Sequence, residues 1–581
     1  MGFRVGLLYT RFASMPQALW AALREDGHEV IRPEDMGLRT PMSSDDMARF
    51  ARLAAPDVIF CPFLKEVVPP EVCKRWTTWI PHPGIRGDRG PSSLSWAILN
   101  QERTWGLTMV RAEPSRSARD LDSGNVGVWR EFAMPADASM AEVYAQHVVP
   151  AAIDCARKIL DRMATDPAYT GAPLTYQRSA HGRHRPVLRQ DRLAFSWDDH
   201  PDDILRHVRA ATFGVRTELA GRPVSVYDAH PHGLDGGQLP PGEIVAHRDG
   251  AVLVATGHGG AVWIGHAKVK PDDGGRGLKL PAVRAVQARV RGMAEDVRHP
   301  DLPHGAPRTH QVIRYRRIRR VGWVHAEPYN GAASTAFCDR LLAALRYAAA
   351  QDTTAVAVMG GQVAWSNGIH LGVIEAAEDP RAEAWANIQR IDDVAELVVN
   401  LARGKGVPRP QTTIAVLGAG AGAGGAVLSA CFDLVLARPS INLNYHYGGM
   451  GLSGSELRTL VLPVRAGEAA AERLLGECMP TSPASALRLG LVDAIGPDDP
   501  AEFERWAREV AARIAAEPPP PPSVIDTSAY RRRELAEMRR TSSRTAAASR
   551  PSGGGSSGWT PDAAVSGAAQ GARPRRQRRR V

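Results

Sequence analysis

The chain has 581 residues, 44% of them hydrophobic, and a formal net charge of +10. That length exceeds what one core serves and points to about three or four domains, while no apolar run reaches the ~18 residues needed to cross a bilayer. Residues 518–581 hold 13 arginines against 4 acidic residues, so nearly all the net charge lies there and the body is close to neutral. A globular nucleic-acid binder carries its basic patch on a folded domain. Neither a specific nucleic-acid partner nor a membrane is therefore expected.

In chain order, MGFRVGLLYTRF reads as a buried strand interrupted by Arg4 and Arg11, not as a signal peptide, and a cytoplasmic location is expected. A helix, PQALWAALREDG, and a second strand, DVIFCPF, follow. This alternation predicts a doubly wound α/β domain with a parallel sheet, closed by a linking helix over Met140 to Ala164, within residues 1–170. No GxGxxG follows the first strand, which argues against a dinucleotide site. Residues 171–305 carry short, glycine-punctuated β runs and one helix near Asp203–Thr212, a small β-rich, OB-like domain. From 306 to 517 helices alternate again with buried strands (TAVAVMGG, TIAVLGAG, FDLVLA), a second α/β domain. Five prolines at 518–522 open a Pro/Ser/Gly/Arg-rich tail, 518–581, too poor in apolar residues to fold. The six cysteines form no CxxC pair and the histidines no HExxH, so reduced thiols and no structural metal are expected. His181 with His184, and His230 with His232, read as surface-loop positions.

Two segments carry chemistry. In the first, PHPGIRGDRGPSS (Pro81 to Ser93) follows the apolar run TTWI, and LDSG (Leu121 to Gly124) follows later. His82 thus falls at a strand end, where open α/β sheets place their sites. A histidine and Asp122 meeting over a carbonyl can hold an oxyanion and move a proton; a structural histidine and a turn-capping aspartate satisfy the same residues. Residues 1–300 resemble the formyltransferases that use 10-formyltetrahydrofolate, particularly the methionyl-tRNA formyltransferase group. The resemblance places His82 and Asp122 on the family's catalytic histidine and aspartate. It places DVIFCPFLKEVVP, with Pro62 and Leu64, on the pterin-holding strand and loop. The segments Arg185 to Gln190 and Asp228 to His230 are compatible with its C-terminal domain. The family's catalytic asparagine corresponds to Ile80, which suggests an acceptor other than an amine. HPGIRGDRGPSS further resembles the hydrogenase maturation proteins called HypX or HoxX, in which a formyltransferase-like half precedes a crotonase-like half. There Arg86, Asp88 and Arg89 would line the cleft for a charged acceptor; a solvated, ion-paired loop is the other reading.

The second segment pairs WSNGIHL (Trp365 to Leu371) with GAGAGG (Gly420 to Gly425). Each joins a buried strand to a glycine turn that can open a helix, leaving N–H groups aimed outward; tight packing alone also explains such glycines. Both resemble the crotonase (enoyl-CoA hydratase/isomerase) family. By that match the N–H groups of Ile369 and Gly424 are oxyanion donors, and Ser366, Asn367, Gly368 and Gly422 form the coenzyme A-facing turns. The hydratase glutamates correspond to Val427 and to the region of Tyr445 to Tyr447, so hydration of an enoyl-CoA is not expected. Tyr447 and Glu456, within NYHYGGMGLSGSE, offer a phenol and a carboxylate instead, whose pKa would rise in a dry pocket; a core tyrosine and a helix-start glutamate are the alternatives. His370 and Glu375 are secondary candidates. The HypX/HoxX resemblance spans about residues 1–515, and YRRRELAEMRR beyond them is similar to the family's terminal helix; the resemblance implies two steps. The formyl group passes from 10-formyltetrahydrofolate to coenzyme A, and formyl-CoA then releases CO for the iron of a [NiFe]-hydrogenase, whose maturation machinery or large subunit would be the partner. An ordinary acyl-CoA hydrolase or isomerase in the second half, or a non-enzymatic folate- and CoA-binding scaffold, are the competing expectations.

Overall fold

The computed structural model describes residues 2–114, 122, 124–173, 181–233, 239–270, 277–301, 309–518 and 525–548. Three six-stranded sheets organise the chain. The first has the order β2-β1-β3-β4-β5-β6, with β1 Arg4–Leu7, β2 Glu29–Ile31, β3 Val58–Phe60, β4 Thr78–His82, β5 Thr104–Arg111 and β6 Val126–Ala133. Strands β1 to β4 are parallel, as a buried βαβ pattern dictates. β5 and β6 run antiparallel, so the sheet is mixed where a parallel one was expected. The reason is local: β5 returns directly beside β4, placing Thr108 opposite His82. The helices Ser14–Glu25 and Val149–Thr165 bury their apolar stripes on this sheet around Trp79 and Trp105.

The second sheet is antiparallel, β7-β8-β11-β10-β9 with β12 on β11. Its strands are β7 Val215–Leu219, β8 Arg222–Pro231, β9 Ile244–Arg248, β10 Ala251–Ala255, β11 Ala261–Val269 and β12 Lys279–Pro281. Its core is covered by the helix Pro201–Ala210. His230 lies in β8, its Nε2 2.8 Å from Asp228 Oδ1, and not in a surface loop as its sequence setting suggests; His181 and His184 are exposed.

The third sheet contains β13 Ile313–Ile318, β14 Val321–Ala326, β15 Ala355–Met359, β16 Thr412–Leu417, β18 Leu434–Ala437 and β21 Ala494–Ile495, in that order. All but β13 are parallel. A small sheet joins β17 Ala421–Gly422, β19 Leu443–Asn444 and β20 Pro480–Thr481. The composition-based expectation that nothing folds beyond 517 needs correction: Thr527–Ala548 is a helix, and it contains the YRRRELAEMRR segment that resembles the family's terminal helix. It docks because Glu534, wholly buried, accepts from the Thr459 N–H at 2.7 Å and its hydroxyl at 2.6 Å, and Arg531 pairs with Asp393 and Glu396, each at 2.7 Å. Within the expected tail, 519–524 and 549–581 lie outside the described residues. Among the described residues no helix is long and apolar enough to cross a membrane.

Candidate active sites

His82 ends β4, and the turn behind it is pinned by two bonds from β5. Trp105 Nε1 donates to Pro83 O at 3.0 Å, and Thr108 Oγ1 donates to Gly84 O at 2.8 Å. The imidazole is buried between two carboxylates: Asp88 Oδ2 lies 3.3 Å from Nε2 and Asp122 Oδ2 3.5 Å from Nδ1. Burial opposes protonation of His82, but the Asp88 hydrogen bond and the charge of Asp122 outweigh it and raise its pKa. Asp122 adopts a left-handed backbone (φ 59°) and accepts from the Gly90 N–H at 3.3 Å. Asp88 does not face the cleft as its motif suggests. It is buried, held by Arg185 Nε at 2.6 Å and by the Ser93 hydroxyl. Arg86 stacks 4.1 Å over Trp129, and the backbone of Arg89 pairs with that of Arg183 and Arg185. Neither arginine lines the cleft; the aromatic face and the loop pairing turn them away. Leu64 lines it, while Pro62 is buried beside it. Ile80, where formyltransferases carry asparagine, also lines it. Arg185 and Ser93 were not recognisable as partners of Asp88 from spacing.

The second cluster forms where two glycine turns meet. Gly422 N–H donates to Ser366 O at 2.9 Å, Gly368 N–H to Ser366 Oγ at 3.2 Å, and Asn367 Nδ2 to Asn330 O at 2.7 Å. Ala333 N–H bonds Gly368 O and His370 N–H bonds Ala333 O, so the N–H of Ile369 between them points away from that bridge. Gly424 is the first residue of the helix Gly424–Ser429, where an N–H has no intrahelical acceptor. The turns are in contact: a Cβ on Gly368 would lie 3.1 Å from the Gly424 nitrogen, and one on Gly424 would lie 2.1 Å from Glu456 Oε1. Glu456 therefore stands directly against the Gly424 turn.

Glu456 is 3% exposed, and its Oε2 accepts from the Tyr447 hydroxyl at 2.5 Å and from the Ser455 N–H at 3.0 Å. Burial pushes its pKa up to about 7 against those bonds. Its backbone, and that of Leu457, are left-handed (φ 59° and 60°), a strain non-glycine residues accept only when neighbours enforce it. Asp392, from the helix Pro380–Leu401, accepts the Glu456 N–H at 2.8 Å, and Cys431 Sγ donates to Glu456 O at 3.4 Å. Burial, then the charge of Glu456, raises the Asp392 pKa to about 8. Nothing in the local sequence marks Asp392, one of two aspartates in an amphipathic helix. The secondary candidates lie apart from this cluster. His370 caps the helix Leu371–Glu375, with burial lowering its pKa to about 3, and Glu375 is exposed.

One cavity of about 2160 Å³ is lined by His82, Asp122 and Leu64 and also by Asn367, Gly422 and His446, while Ile369, Gly424, Tyr447 and Glu456 are not among its lining residues. A site for one small molecule occupies roughly 300–1,000 Å³, so this space exceeds a single-ligand pocket.

A mixed α/β half with a buried His–Asp pair, a small antiparallel sheet and a glycine-turn α/β half together define a formyltransferase-like protein fused to a crotonase-like one. Family models agree: "Formyl transferase, C-terminal domain" matches residues 188–274 and "Enoyl-CoA hydratase/isomerase" matches residues 325–544. The hydrogenase maturation factor HoxX of Bradyrhizobium diazoefficiens is 35% identical over 85% of this chain and 81% of its own. A crystal structure of HypX from Aquifex aeolicus in complex with tetrahydrofolic acid superposes with a TM-score of 0.80 at 31% identity, over 94% of this chain and 92% of that one. A methionyl-tRNA formyltransferase of Pelotomaculum thermopropionicum is 22% identical over 37% of this chain and 66% of its own. The chain belongs to the HypX/HoxX family of hydrogenase maturation factors.

Proposed function

We propose that the protein makes carbon monoxide for the iron of a [NiFe]-hydrogenase in two steps, using 10-formyltetrahydrofolate and coenzyme A. The observation that carries this reading is one cavity lined by His82 and Asp122 and also by Asn367 and Gly422 of the glycine turns that pack against Glu456. In the first step the coenzyme A thiol attacks the folate formyl carbon. The imidazolium of His82, favoured by its two carboxylates, stabilises the tetrahedral oxyanion. Asp122 relays the thiol proton to N10 of the folate as the C–N bond breaks, leaving tetrahydrofolate and formyl-CoA. Leu64 and Pro62 would flank the pterin, a role supported by the folate bound in the HypX of Aquifex aeolicus. With Ile80 in place of an amide, the acceptor side of the site is apolar, which suits a thiol better than an amine.

In the second step the formyl oxygen of the thioester takes the N–H groups of Ile369 and Gly424, with Ser366, Asn367, Gly368 and Gly422 shaping the turns around it. Glu456, whose burial brings its pKa up to about 7, removes the formyl proton. The C–H electron pair becomes the carbon lone pair of CO as the C–S bond breaks. The thiolate takes back a proton through Tyr447, whose hydroxyl is hydrogen-bonded to Glu456, so no net proton is gained or lost. Val427 is wholly buried at the hydratase glutamate position, which leaves no second carboxylate there to activate water.

The test is direct. Purified protein with 10-formyltetrahydrofolate, coenzyme A and reduced myoglobin should give the Soret shift of bound CO only when both substrates are present. Formyl-CoA without CO would keep the transferase and discard the decarbonylation; neither product would favour a binding scaffold.

A further inference from the structure

The helix that follows the first sheet is not regular. Tyr144–Val148 forms a π-turn, in which the Val149 N–H reaches back to Tyr144 O. Proline 150 lies one residue further on. A proline within a helix has no N–H for the carbonyl four residues earlier, and its ring crowds that carbonyl. Here the carbonyl left without its helical partner is that of Gln146. A widened turn is the usual accommodation, and such turns gather at functional places.

That carbonyl is taken by Arg438, 292 residues away in the crotonase-like half. Arg438 follows β18 and is 1% exposed. Its Nη2 donates to Gln146 O at 3.2 Å and to Asp498 O at 2.5 Å. Nη1 donates to the Gln146 side-chain oxygen and to Gly418 O at 3.1 Å, and Nε donates to Asp498 O at 2.9 Å. The Gln146 amide completes the joint by donating to Gln362 O and, at 3.2 Å, to Gly418 O. A guanidinium has five donors in a rigid fork, and here they lock the end of β16, the segment after β18 and the π-turn into one body.

The joint sits in the wall of the shared cavity. Tyr144, Ala145 and Val149 line that cavity from the first half, and Gln362, Val363 and Ala419 line it from the other. Gly418 also begins the segment that runs through β17 to the Gly424 turn.

We propose that Gln146 and Arg438 are positioning residues for passage between the two sites: they hold the halves in register and seal the wall, so that the thioester formed at His82 reaches Glu456 without entering bulk solvent. The inference rests on the two-step reading above. A break in the joint would leave each half able to do its own chemistry while the intermediate escapes.

The experiment compares full-length wild type with Gln146→Leu, supplied with 10-formyltetrahydrofolate and coenzyme A in the presence of hydroxylamine, which converts escaped formyl-CoA to formohydroxamate and free coenzyme A. Tetrahydrofolate formation, CO and hydroxamate are followed together, and CO from added formyl-CoA is measured separately. Wild type should release CO with little hydroxamate. Gln146→Leu should form tetrahydrofolate, and CO from added formyl-CoA, within about twofold of wild type, while the hydroxamate-to-CO ratio rises at least about fivefold, since small losses of register weigh heavily on transfer. An unchanged ratio with both half-reactions intact overturns the proposal. If Gln146→Leu does not fold, Gln146→Glu keeps the acceptor for Arg438 but loses both donors, and its ratio must still rise. Wild type that forms no tetrahydrofolate or no CO would instead sink the two-step reading, so the two failures are distinguishable.

Discussion

The Tyr447 hydroxyl donates to Glu456 Oε2 at 2.5 Å, and both groups are buried beside the Gly424 turn. A phenol that shares its proton with a carboxylate at this distance can hand a proton across without solvent. Burial and the Glu456 charge hold the tyrosine pKa well above its usual value, so the phenol is the proton donor to the Glu456 carboxylate. Glu456→Gln should therefore lower CO formation from added formyl-CoA by about 10²–10⁴-fold. Tyr447→Phe should lower it less. Tetrahydrofolate formation should be unaffected in both, as followed by its absorbance.

The pH dependence follows from the raised Glu456 pKa. The carboxylate is the reactive form, so the rate should fall about tenfold per unit below pH 7 and level off above it. Stopped-flow capture of CO by myoglobin from added formyl-CoA, between pH 5.5 and 8.5, checks the position of that limb. A limb near the ordinary glutamate value would remove Glu456 from the base role.

Gly424→Ala tests the geometry without replacing a titratable group. The added methyl would stand 2.1 Å from Glu456 Oε1, closer than any tolerated contact, and must push the carboxylate off the donor pair. The expected result is loss of CO release by at least about 10²-fold with the first half-reaction retained, as for removal of an oxyanion donor.

At the first site, Asp88→Asn should move the His82 limb of the formyl-transfer profile to lower pH. The raised His82 pKa depends on the Asp88 hydrogen bond and on Asp122, and one of those supports is withdrawn. His82→Ala should abolish transfer outright, and both are read from tetrahydrofolate formation.

Glu534→Ala should lower stability by about 1–3 kcal/mol, the cost of leaving a buried donor unpaired. The Thr459 N–H and hydroxyl both lose their acceptor, and the terminal helix loses its buried anchor. Calorimetry should show a lower unfolding temperature, with a smaller shift in Glu537→Ala, whose pair with Arg458 is partly exposed.

What could be read from the residues alone was whatever depends on a few neighbours in the chain. The strand-turn-glycine junctions at Trp365 to Leu371 and Gly420 to Gly425 announce themselves because a backbone donor at a helix start is a local property. His82 at a strand end, the β-rich middle and the alternation in the two α/β halves are local in the same sense. The mixed edge of the first sheet was not legible, because strand direction depends on where the returning segment finds space. Composition hid the folded terminal helix, because a segment dominated by arginine conceals the single buried glutamate that docks it; only the family resemblance of YRRRELAEMRR pointed to it. Tertiary structure alone brought Arg185 to Asp88 across 97 residues, Asp392 to Glu456 across 64 and Gln146 to Arg438 across 292. It also set the proton affinities of His82 and Glu456. A charge's desolvation and its partners are properties of the packed interior, and no spacing along the chain encodes which distant groups will share it.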